Sequence, residues 1–178
     1  MKRLLCALGV AWLAPGAHGA GAPFLVAHRG ASHDAPENTL PAFLLAWQQG
    51  ADAIEGDFRL TSDRRIVCIH DPDTQRVTGV KKEVRRASLG ELRELDAGAW
   101  FKPEWRGTRL PTFAEVAATV PAGRKIYVEI KCGSEILPVL LDELAATALT
   151  AEQVVVIDRA PSAMKRRATA GSSIVHAW

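Results

Sequence analysis

The amino-acid sequence predicts an α/β protein, either a barrel or an open sheet of mostly parallel strands. Two observations carry this prediction. Short, continuous apolar runs alternate along the chain with helical segments, and several of these runs end in polar residues. Continuous apolar runs are typical of strands that are buried on both faces, as in a parallel sheet covered by helices.

Six strands and four helices follow from the pattern. The strands are predicted at residues 24–27, 53–58, 66–69, 126–131, 154–158 and 174–176. The helices are predicted at residues 38–49, 112–120, 134–149 and 161–168. The first helix has apolar residues three and four positions apart and is expected to end at Gly50. Thr112 and Glu115 have the spacing of a capping box at the start of the second.

Two connections depart from simple alternation. The interval between Phe58 and Ile66 is too short for a crossover helix, so we expect an extended return to a parallel third strand. Residues 72–110 are instead long enough for an insertion over the carboxyl ends of the strands, with a short helix capped by Ser88 and Glu91. The aromatic residues of this insertion either line a pocket or pack the insertion itself; they are Trp100, Phe101 and Trp105.

The first 20 residues have the organisation of a secretory signal peptide. A basic start at Lys2 and Arg3 precedes an apolar run over residues 4–13 and then a stretch of small residues. The apolar run is shorter than the about 20 residues needed for a stable membrane span. We therefore expect an exported protein, periplasmic or secreted, with its domain in residues 21–178.

Charge and cysteine content narrow the range of partners. The formal net charge of the whole chain is +2, and removal of residues 1–20 balances it, which gives no support for binding to nucleic acid or to an acidic membrane. Export would permit a disulfide between Cys68 and Cys132. Their positions in the strand pattern place them on opposite faces of the sheet, so we predict that both thiols are free.

Carboxylates cluster on two of the predicted strands. Glu55 and Asp57 alternate onto one face of the second strand, and Glu129 with Lys131 repeats this spacing on a later one. Neighbouring carboxylates repel one another unless a cation is present, and ligands made of oxygen alone suit Ca²⁺ or Mg²⁺. The alternatives are an exposed strand face, an arginine partner, or a simple Glu129–Lys131 pair.

Two histidines end strands that the pattern places beside these carboxylates. His28 closes the first strand and His70 the third, and histidine is the side chain best suited to acid–base chemistry near neutral pH. Arg29 offers a planar fork for a phosphate group, and Lys131 fits a phosphate oxygen better than a metal ion. His33 lies in a predicted loop, where we expect it to be exposed.

Together these residues form a set of motifs that resembles the glycerophosphodiester phosphodiesterase family. The motifs occur in the order of that family at residues 27–30 (AHRG), 36–39 (PENT), 54–57 (IEGD), 61–63 (TSD), 70–72 (HDP), 110–113 (LPTF) and 128–131 (VEIK). One position departs from the family pattern, because Gly56 stands where an apolar residue is usual. Its side chain would face the helices, so the departure should affect packing rather than chemistry.

The resemblance implies a TIM-type (β/α) barrel with an insertion after the third strand. It also implies one divalent cation, Ca²⁺ or Mg²⁺, held by Glu55, Asp57 and Glu129. The remaining roles that it implies are acid and base for His28 and His70 and substrate binding for Arg29, Lys131, Glu37 and Asn38. Arg29 and Lys131 would bind the phosphate, and Glu37 with Asn38 would line or brace the first loop.

The expected reaction is hydrolysis of a glycerophosphodiester to glycerol 3-phosphate and an alcohol. The alternatives are a phospholipase resembling sphingomyelinase D and an inactive remnant that binds a metal ion or a phosphodiester but does not hydrolyse it. Length is the reason for the last alternative: 178 residues are fewer than the about 250 of a closed barrel, and about six of eight strands are expected.

Overall fold

The computed structural model describes residues 23–158 and the backbone of a strand at residues 174–175. The predicted signal peptide, the predicted helix at residues 161–168 and His176 lie outside this part of the chain. The strands of the sheet are β1 (Val26–His28), β2 (Ala53–Leu60), β3 (Ile66–Cys68), β4 (Lys125–Ile130), β5 (Val154–Asp158) and β6 (Ile174–Val175). All six predicted strands are therefore present, with ends shifted by one or two residues.

Five of the strands form a parallel sheet in the order β1-β2-β4-β5-β6, and the remaining strand, β3, pairs with β2. The register places His28 opposite Glu55 and Asp57 opposite Glu129. Parallel strands bring their carboxyl ends to one edge of the sheet, so residues far apart in sequence meet there. The register alone thus brings the histidine of β1 and the carboxylates of β2 and β4 together.

The prediction of a parallel third strand is wrong, because β3 runs antiparallel to β2. Phe58 lies opposite Cys68 and Leu60 opposite Ile66, which makes the two strands a hairpin. The turn between them is closed locally: the Thr61 hydroxyl and backbone hydrogen-bond to Arg65. Such a turn satisfies the backbone groups at once, whereas an extended return would leave them without partners.

The hairpin brings the chain back along β2 toward the carboxylates. The backbone N–H of Ile69 donates to the carbonyl of Asp57 at 2.8 Å. His70 is the next residue, so the antiparallel return carries it to the level of Asp57. The direction of the strand differs from the prediction, yet the histidine still reaches the same edge.

The five α-helices in the described residues are α1 (Leu40–Gln48), α2 (Gln75–Thr78), α3 (Leu89–Arg93), α4 (Phe113–Ala117) and α5 (Leu137–Ala145). Three of them, α1, α3 and α4, begin at a capping side chain. The capping boxes predicted at Ser88 and Thr112 are both formed, at the start of α3 and of α4. Each satisfies backbone N–H groups that a first helical turn leaves without partners. No helix in the described residues has the length and apolar character needed to cross a membrane.

Two apolar clusters support the two faces of the site. The larger lies between the parallel sheet and helices α1, α4 and α5, and includes the buried rings of Phe43, Phe58 and Phe113. The smaller lies within residues 67–110, where Val67 and Ile69 pack against the apolar side chains of the insertion. The insertion is therefore anchored to β3 by its own core. Cys68 and Cys132, the cysteines within the described residues, are both free, as predicted.

Candidate active site

The loop after β1 is held in a backbone conformation that directs Arg29 into the site. Arg29 has a left-handed backbone with φ of 58°, and Gly30 follows with φ of 77°. A Cβ atom at Gly30 would lie 2.7 Å from the carbonyl carbon of Ala42, so only glycine fits there. The strain at Arg29 is offset by a hydrogen bond of 2.9 Å from its N–H to Oε2 of Glu55.

Three carboxylates meet at the carboxyl edge of β2 and β4. Oxygen atoms of Glu55, Asp57 and Glu129 all lie within 4.8 Å of one another. Glu55 and Asp57 are buried, at 5% and 0% exposure, which excludes the alternative of an exposed strand face. The structure thus brings together the three residues that the resemblance implies as metal ligands.

Two cations lie against this cluster and offset part of its charge. Nζ of Lys131 is 2.5 Å from Oε1 of Glu129 and 3.3 Å from Oδ1 of Asp57. Nε of Arg29 is 3.1 Å from Oδ2 of Asp57. The arginine partner and the Glu129–Lys131 pair, considered above as alternatives to a metal site, are therefore both present. With all three carboxylates ionised, the two cations still leave the group one negative charge in excess.

The electrostatics of Glu55 show that the cluster suits a further cation. Burial, reinforced by the charges of Asp57 and Glu129, raises the pKa of Glu55 to about 7. Its Oε1 is buried and accepts no hydrogen bond from the described residues. A buried carboxylate oxygen without a donor is unfavourable, and a hard divalent cation would supply the missing partner. The donor set, all of it oxygen, fits Ca²⁺ or Mg²⁺.

Asn38 braces the cluster from the first loop. Its Nδ2 donates to Oδ2 of Asp57 at 2.8 Å, and its Oδ1 accepts from the backbone N–H of the same residue at 3.1 Å. Asn38 is only 2% exposed, and its backbone is left-handed with φ of 56°. The two hydrogen bonds favour the bracing role over the lining role that the resemblance left open.

The two histidines lie beside the carboxylates in different environments. His28 is 67% exposed, with its Nε2 at 3.9 Å from Oε2 of Glu55. His70 is 34% exposed, and its Nδ1 lies 2.8 Å from Oδ1 of Asp71. One ring is thus open toward solvent, and the other is held by a carboxylate. His33, at 99% side-chain exposure, is the exposed loop residue that the sequence predicted.

Sequence reasoning missed two arginines that hold this region together. Arg59 donates from Nε and Nη2 to the backbone carbonyl of His70, at 3.0 and 2.7 Å. Arg76, on α2 in the insertion, contacts both Asp71 and Glu37. Arg59 could have been found, because it continues the alternation of Glu55 and Asp57 along β2. Nothing in the spacing of the insertion signals Arg76.

Glu37 and Trp100 acquire their surroundings from these arginines. The Glu37 carboxylate lies between the guanidinium groups of Arg29 and Arg76, with contacts of 3.1 and 2.8 Å. The ring of Trp100 lies 6.0 Å from the guanidinium carbon of Arg76, and its Nε1 donates to the Ala97 carbonyl. Trp100 thus packs within the insertion and against a residue of the site.

Fold and site together define a class of protein: a (β/α) barrel, present in part, with a carboxylate cluster and two histidines where its strands end. Comparison with known proteins makes the assignment definite. The model of the glycerophosphoryl diester phosphodiesterase family matches residues 28–177, and the chain belongs to this family. The fold is accordingly an incomplete TIM-type barrel, as predicted.

Individual relatives agree with this assignment. A glycerophosphodiester phosphodiesterase from Caldanaerobacter subterraneus subsp. tengcongensis is 40% identical over 123 residues, which cover 67% of this chain and 50% of that protein. The structure of a phosphodiesterase from Oleispira antarctica, in complex with the product sn-glycerol-3-phosphate, is 30% identical with a TM-score of 0.74. That comparison covers 79% of this chain and 59% of the other.

A third similar structure is a glycerophosphodiester phosphodiesterase from Thermotoga maritima, which is 26% identical with a TM-score of 0.72. It covers 87% of this chain and 62% of the other. The chain spans half or less of the length of the curated relatives that it matches, including 44%, 50% and 31% of three of them.

Proposed function

We propose that this protein hydrolyses glycerophosphodiesters, such as deacylated phospholipid head groups, to glycerol 3-phosphate and an alcohol in a metal-dependent reaction. The observation that carries the proposal is the buried cluster of Glu55, Asp57 and Glu129 with two cations and two histidines around it. Membership of the family supports it, as does the similarity to a phosphodiesterase solved with sn-glycerol-3-phosphate.

The charge of the site suits a phosphodiester. The cluster and its two cations carry one excess negative charge, which a divalent cation would convert into one positive charge. A phosphodiester carries one negative charge, so metal and substrate together would leave the site neutral. Glu55, Asp57 and Glu129 are the residues that would hold the cation, which when bound would supply Lewis-acid polarisation of a phosphoryl oxygen.

Arg29 and Lys131 are assigned to the phosphate group. A guanidinium has five N–H donors, so the contacts of Arg29 with Glu37 and Asp57 leave it capacity for a phosphate oxygen. Lys131 has 10% of its side chain exposed and lies between two of the carboxylates. Both cations are held in place before substrate arrives, so little reorganisation is needed when it binds.

His28 and His70 are assigned to proton transfer. One ring removes a proton from the attacking hydroxyl group or water, and the other protonates the departing alkoxide. Asp71 accepts from Nδ1 of His70, which leaves Nε2 of that ring for the transferred proton. His28 is the more exposed of the two and can meet a group that enters from solvent.

The proposal is tested by measuring release of glycerol 3-phosphate from glycerophosphocholine, with Ca²⁺ or Mg²⁺ and with a chelator. Turnover should require the metal. The variants His28→Gln and His70→Gln should each lower kcat by about 10²–10⁴-fold, the usual contribution of a general acid or base. His33→Gln is the matched control, because His33 is fully exposed and contacts only Asp34 among the described residues.

Full activity of the double variant His28→Gln/His70→Gln would refute the assignment of the two histidines. Sphingomyelin serves as the second substrate, because preferred cleavage of this intact lipid would indicate a phospholipase resembling sphingomyelinase D. Size-exclusion chromatography accompanies the assay. An aggregated or inactive protein that still binds the metal would favour the remnant without turnover.

We further propose that the protein is exported to the periplasm or secreted, with residues 1–20 acting as a signal peptide. The basic start, the short apolar run and the small residues that follow are the support for this proposal. Mass spectrometry of the mature protein should find a new N-terminus near residues 19–22. An intact N-terminus in the cytoplasmic fraction would contradict it.

A further inference from the structure

We infer that Arg76 is a positioning residue: through Asp71 it fixes which ring nitrogen of His70 carries the proton, and through Glu37 it ties that histidine to the loop after β1. The effect of Arg76 on catalysis rests on the proposed function. The effect of Arg76 on the ring of His70 does not rest on it, because the hydrogen bonds can be measured without substrate.

Arg76 joins two loops that the sequence keeps far apart. Its Nε donates to Oδ2 of Asp71 at 2.7 Å, beside His70. Its Nη1 donates to Oε2 of Glu37 and its Nη2 to Oε1, both at 2.8 Å, and Glu37 lies in the loop after β1. A planar guanidinium can bind two carboxylates in fixed directions in this way, whereas a lysine ammonium cannot. The side chain is therefore a rigid link between the loops after β1 and β3.

The link controls the rotation of Asp71. Hydrogen bonding from Arg76 and then from His70 lowers the pKa of Asp71 to about 2, so the group is a carboxylate at neutral pH. Oδ2 is occupied by Arg76, which leaves Oδ1 directed at Nδ1 of His70, 2.8 Å away. A carboxylate can only accept, so Nδ1 must donate the proton. In the neutral ring Nε2 then has the free electron pair.

Other contacts hold the backbone of His70, which separates the role of Arg76 from that of a general support. Arg59 binds the backbone carbonyl of His70 with two donors, so the main chain keeps its position without the insertion. Arg76 acts on the side chain alone, through Asp71. Its own position is supported by the ring of Trp100, 6.0 Å from its guanidinium carbon. The insertion thus supplies an orienting group to the site.

The test is a measurement of the His70 tautomer in the full chain by ¹⁵N NMR of the imidazole nitrogens. In the wild-type protein, the neutral ring should be protonated at Nδ1 and unprotonated at Nε2. In Arg76→Gln, Asp71 is free to rotate, and the shifts should move toward the average of both tautomers. If that variant fails to fold by circular dichroism, Asp71→Asn takes its place, because an amide can either donate to Nδ1 or accept from it.

Kinetics give the second measurement. Arg76→Gln should lower kcat by about 10–100-fold while KM changes less than about twofold, because a misplaced proton-transfer group slows chemistry more than binding. The control is Arg86→Gln, also in the insertion. Arg86 is 71% exposed and has an ion pair with Glu83 of 3.1 Å. It should change neither tautomer nor kcat.

The outcomes separate this inference from the proposed function. A wild-type ring protonated at Nε2, or a tautomer in Arg76→Gln identical to that of the wild type, would overturn the inference. If no variant and no wild-type protein turns over a glycerophosphodiester while the tautomer still changes as expected, the positioning role stands and the proposed function fails.

Discussion

Two buried carboxylates, one just before strand β2 and one within it, have opposite surroundings. Asp52 immediately precedes the strand and is 7% exposed, and Glu55, three residues later, is 5% exposed. Asp52 accepts from the Leu25 N–H at 2.9 Å and pairs with Nη1 of Arg124 at 2.5 Å. Glu55 receives one backbone hydrogen bond, from Arg29, and its nearest charged neighbours include the carboxylates of the same cluster.

Similar burial therefore has opposite consequences for the charges of Asp52 and Glu55. Donors surround Asp52, so its charge helps to hold β1, β2 and the turn before β4 together. Carboxylates surround Glu55, so its charge opposes folding until a cation is present. A buried carboxylate with matched donors is structural, whereas one with unmatched oxygens marks a place where stability has been lost for the sake of binding.

Removing the charge of Glu55 should have the largest effect. Glu55→Gln should weaken Ca²⁺ or Mg²⁺ binding by at least about 100-fold, since even groups one shell further from a metal contribute 10–100-fold. The metal-free variant should be more stable than the wild type at pH 8, because the repulsion is gone. Isothermal titration calorimetry and thermal melting measure the two effects, and unchanged metal affinity would show that Glu55 is not a ligand.

The buried charge of Glu55 should also make the stability of the metal-free protein depend on pH. The pKa of Glu55 is about 7 in the folded protein against an ordinary value of 4.5. Between these values the folded state keeps a proton that the unfolded state has released. The free energy of unfolding of the metal-free protein should therefore fall as pH rises from about 4.5 to 7, by roughly 3 kcal/mol at most.

Urea unfolding between pH 4.5 and 8 measures this effect, with Glu55→Gln as the control because it lacks the titrating group. The difference between the two proteins isolates the contribution of Glu55 from other groups that titrate in this range. Saturating metal should abolish the fall, since the bound cation replaces the proton. Parallel curves for the wild type and the variant would contradict the prediction.

At Asp52, just before β2, the corresponding substitution should act on stability alone. Asp52→Asn removes the charge that binds Arg124 and should destabilise the fold by about 1–3 kcal/mol, the range for a hydrogen bond to a charged group. Metal affinity should remain within about twofold of the wild type. A loss of metal binding comparable to that of Glu55→Gln would show that the two carboxylates do not act independently.

The smallest expected effect concerns Gly56, which lies between Glu55 and Asp57 on β2 but faces the helices, as predicted. A Cβ atom there would lie 3.2 Å from the rings of Phe43 and Phe58, both fully buried. Gly56→Ala should destabilise the fold by about 1 kcal/mol because these rings have little room to move. Metal affinity should not change. Thermal melting measures the loss of stability and calorimetry the metal affinity, and unchanged stability or weakened metal binding would contradict the prediction.

Much of the fold could be predicted from the sequence because local patterns determine it. Strand positions follow from continuous apolar runs, and helix starts follow from capping residues such as Ser88 and Thr112, whose hydrogen bonds span only three residues. The direction of β3 could not be predicted in this way. It depends on whether the turn after Leu60 closes on itself, and a strand of either direction has the same apolar pattern.

The same distinction between local and long-range contacts applies to the candidate site. Residues that share a strand face, such as Glu55 and Asp57, or that end a strand, such as His28, could be placed together from periodicity and the parallel register. Arg76 could not, because it lies on a short helix of the insertion and reaches Glu37 across 39 positions of sequence. No local pattern records such a contact.

By itself, then, the sequence determined which chemical groups lie at the carboxyl edge of the sheet, because strand alternation and motif order are local properties. Only the tertiary structure decided which of those groups have partners. Asn38 braces Asp57, Arg29 is shared between two carboxylates, and one oxygen of Glu55 is left without a donor among the described residues. The physical reason is that burial and charge pairing depend on the approach of separate loops, which packing of the sheet, helices and insertion determines.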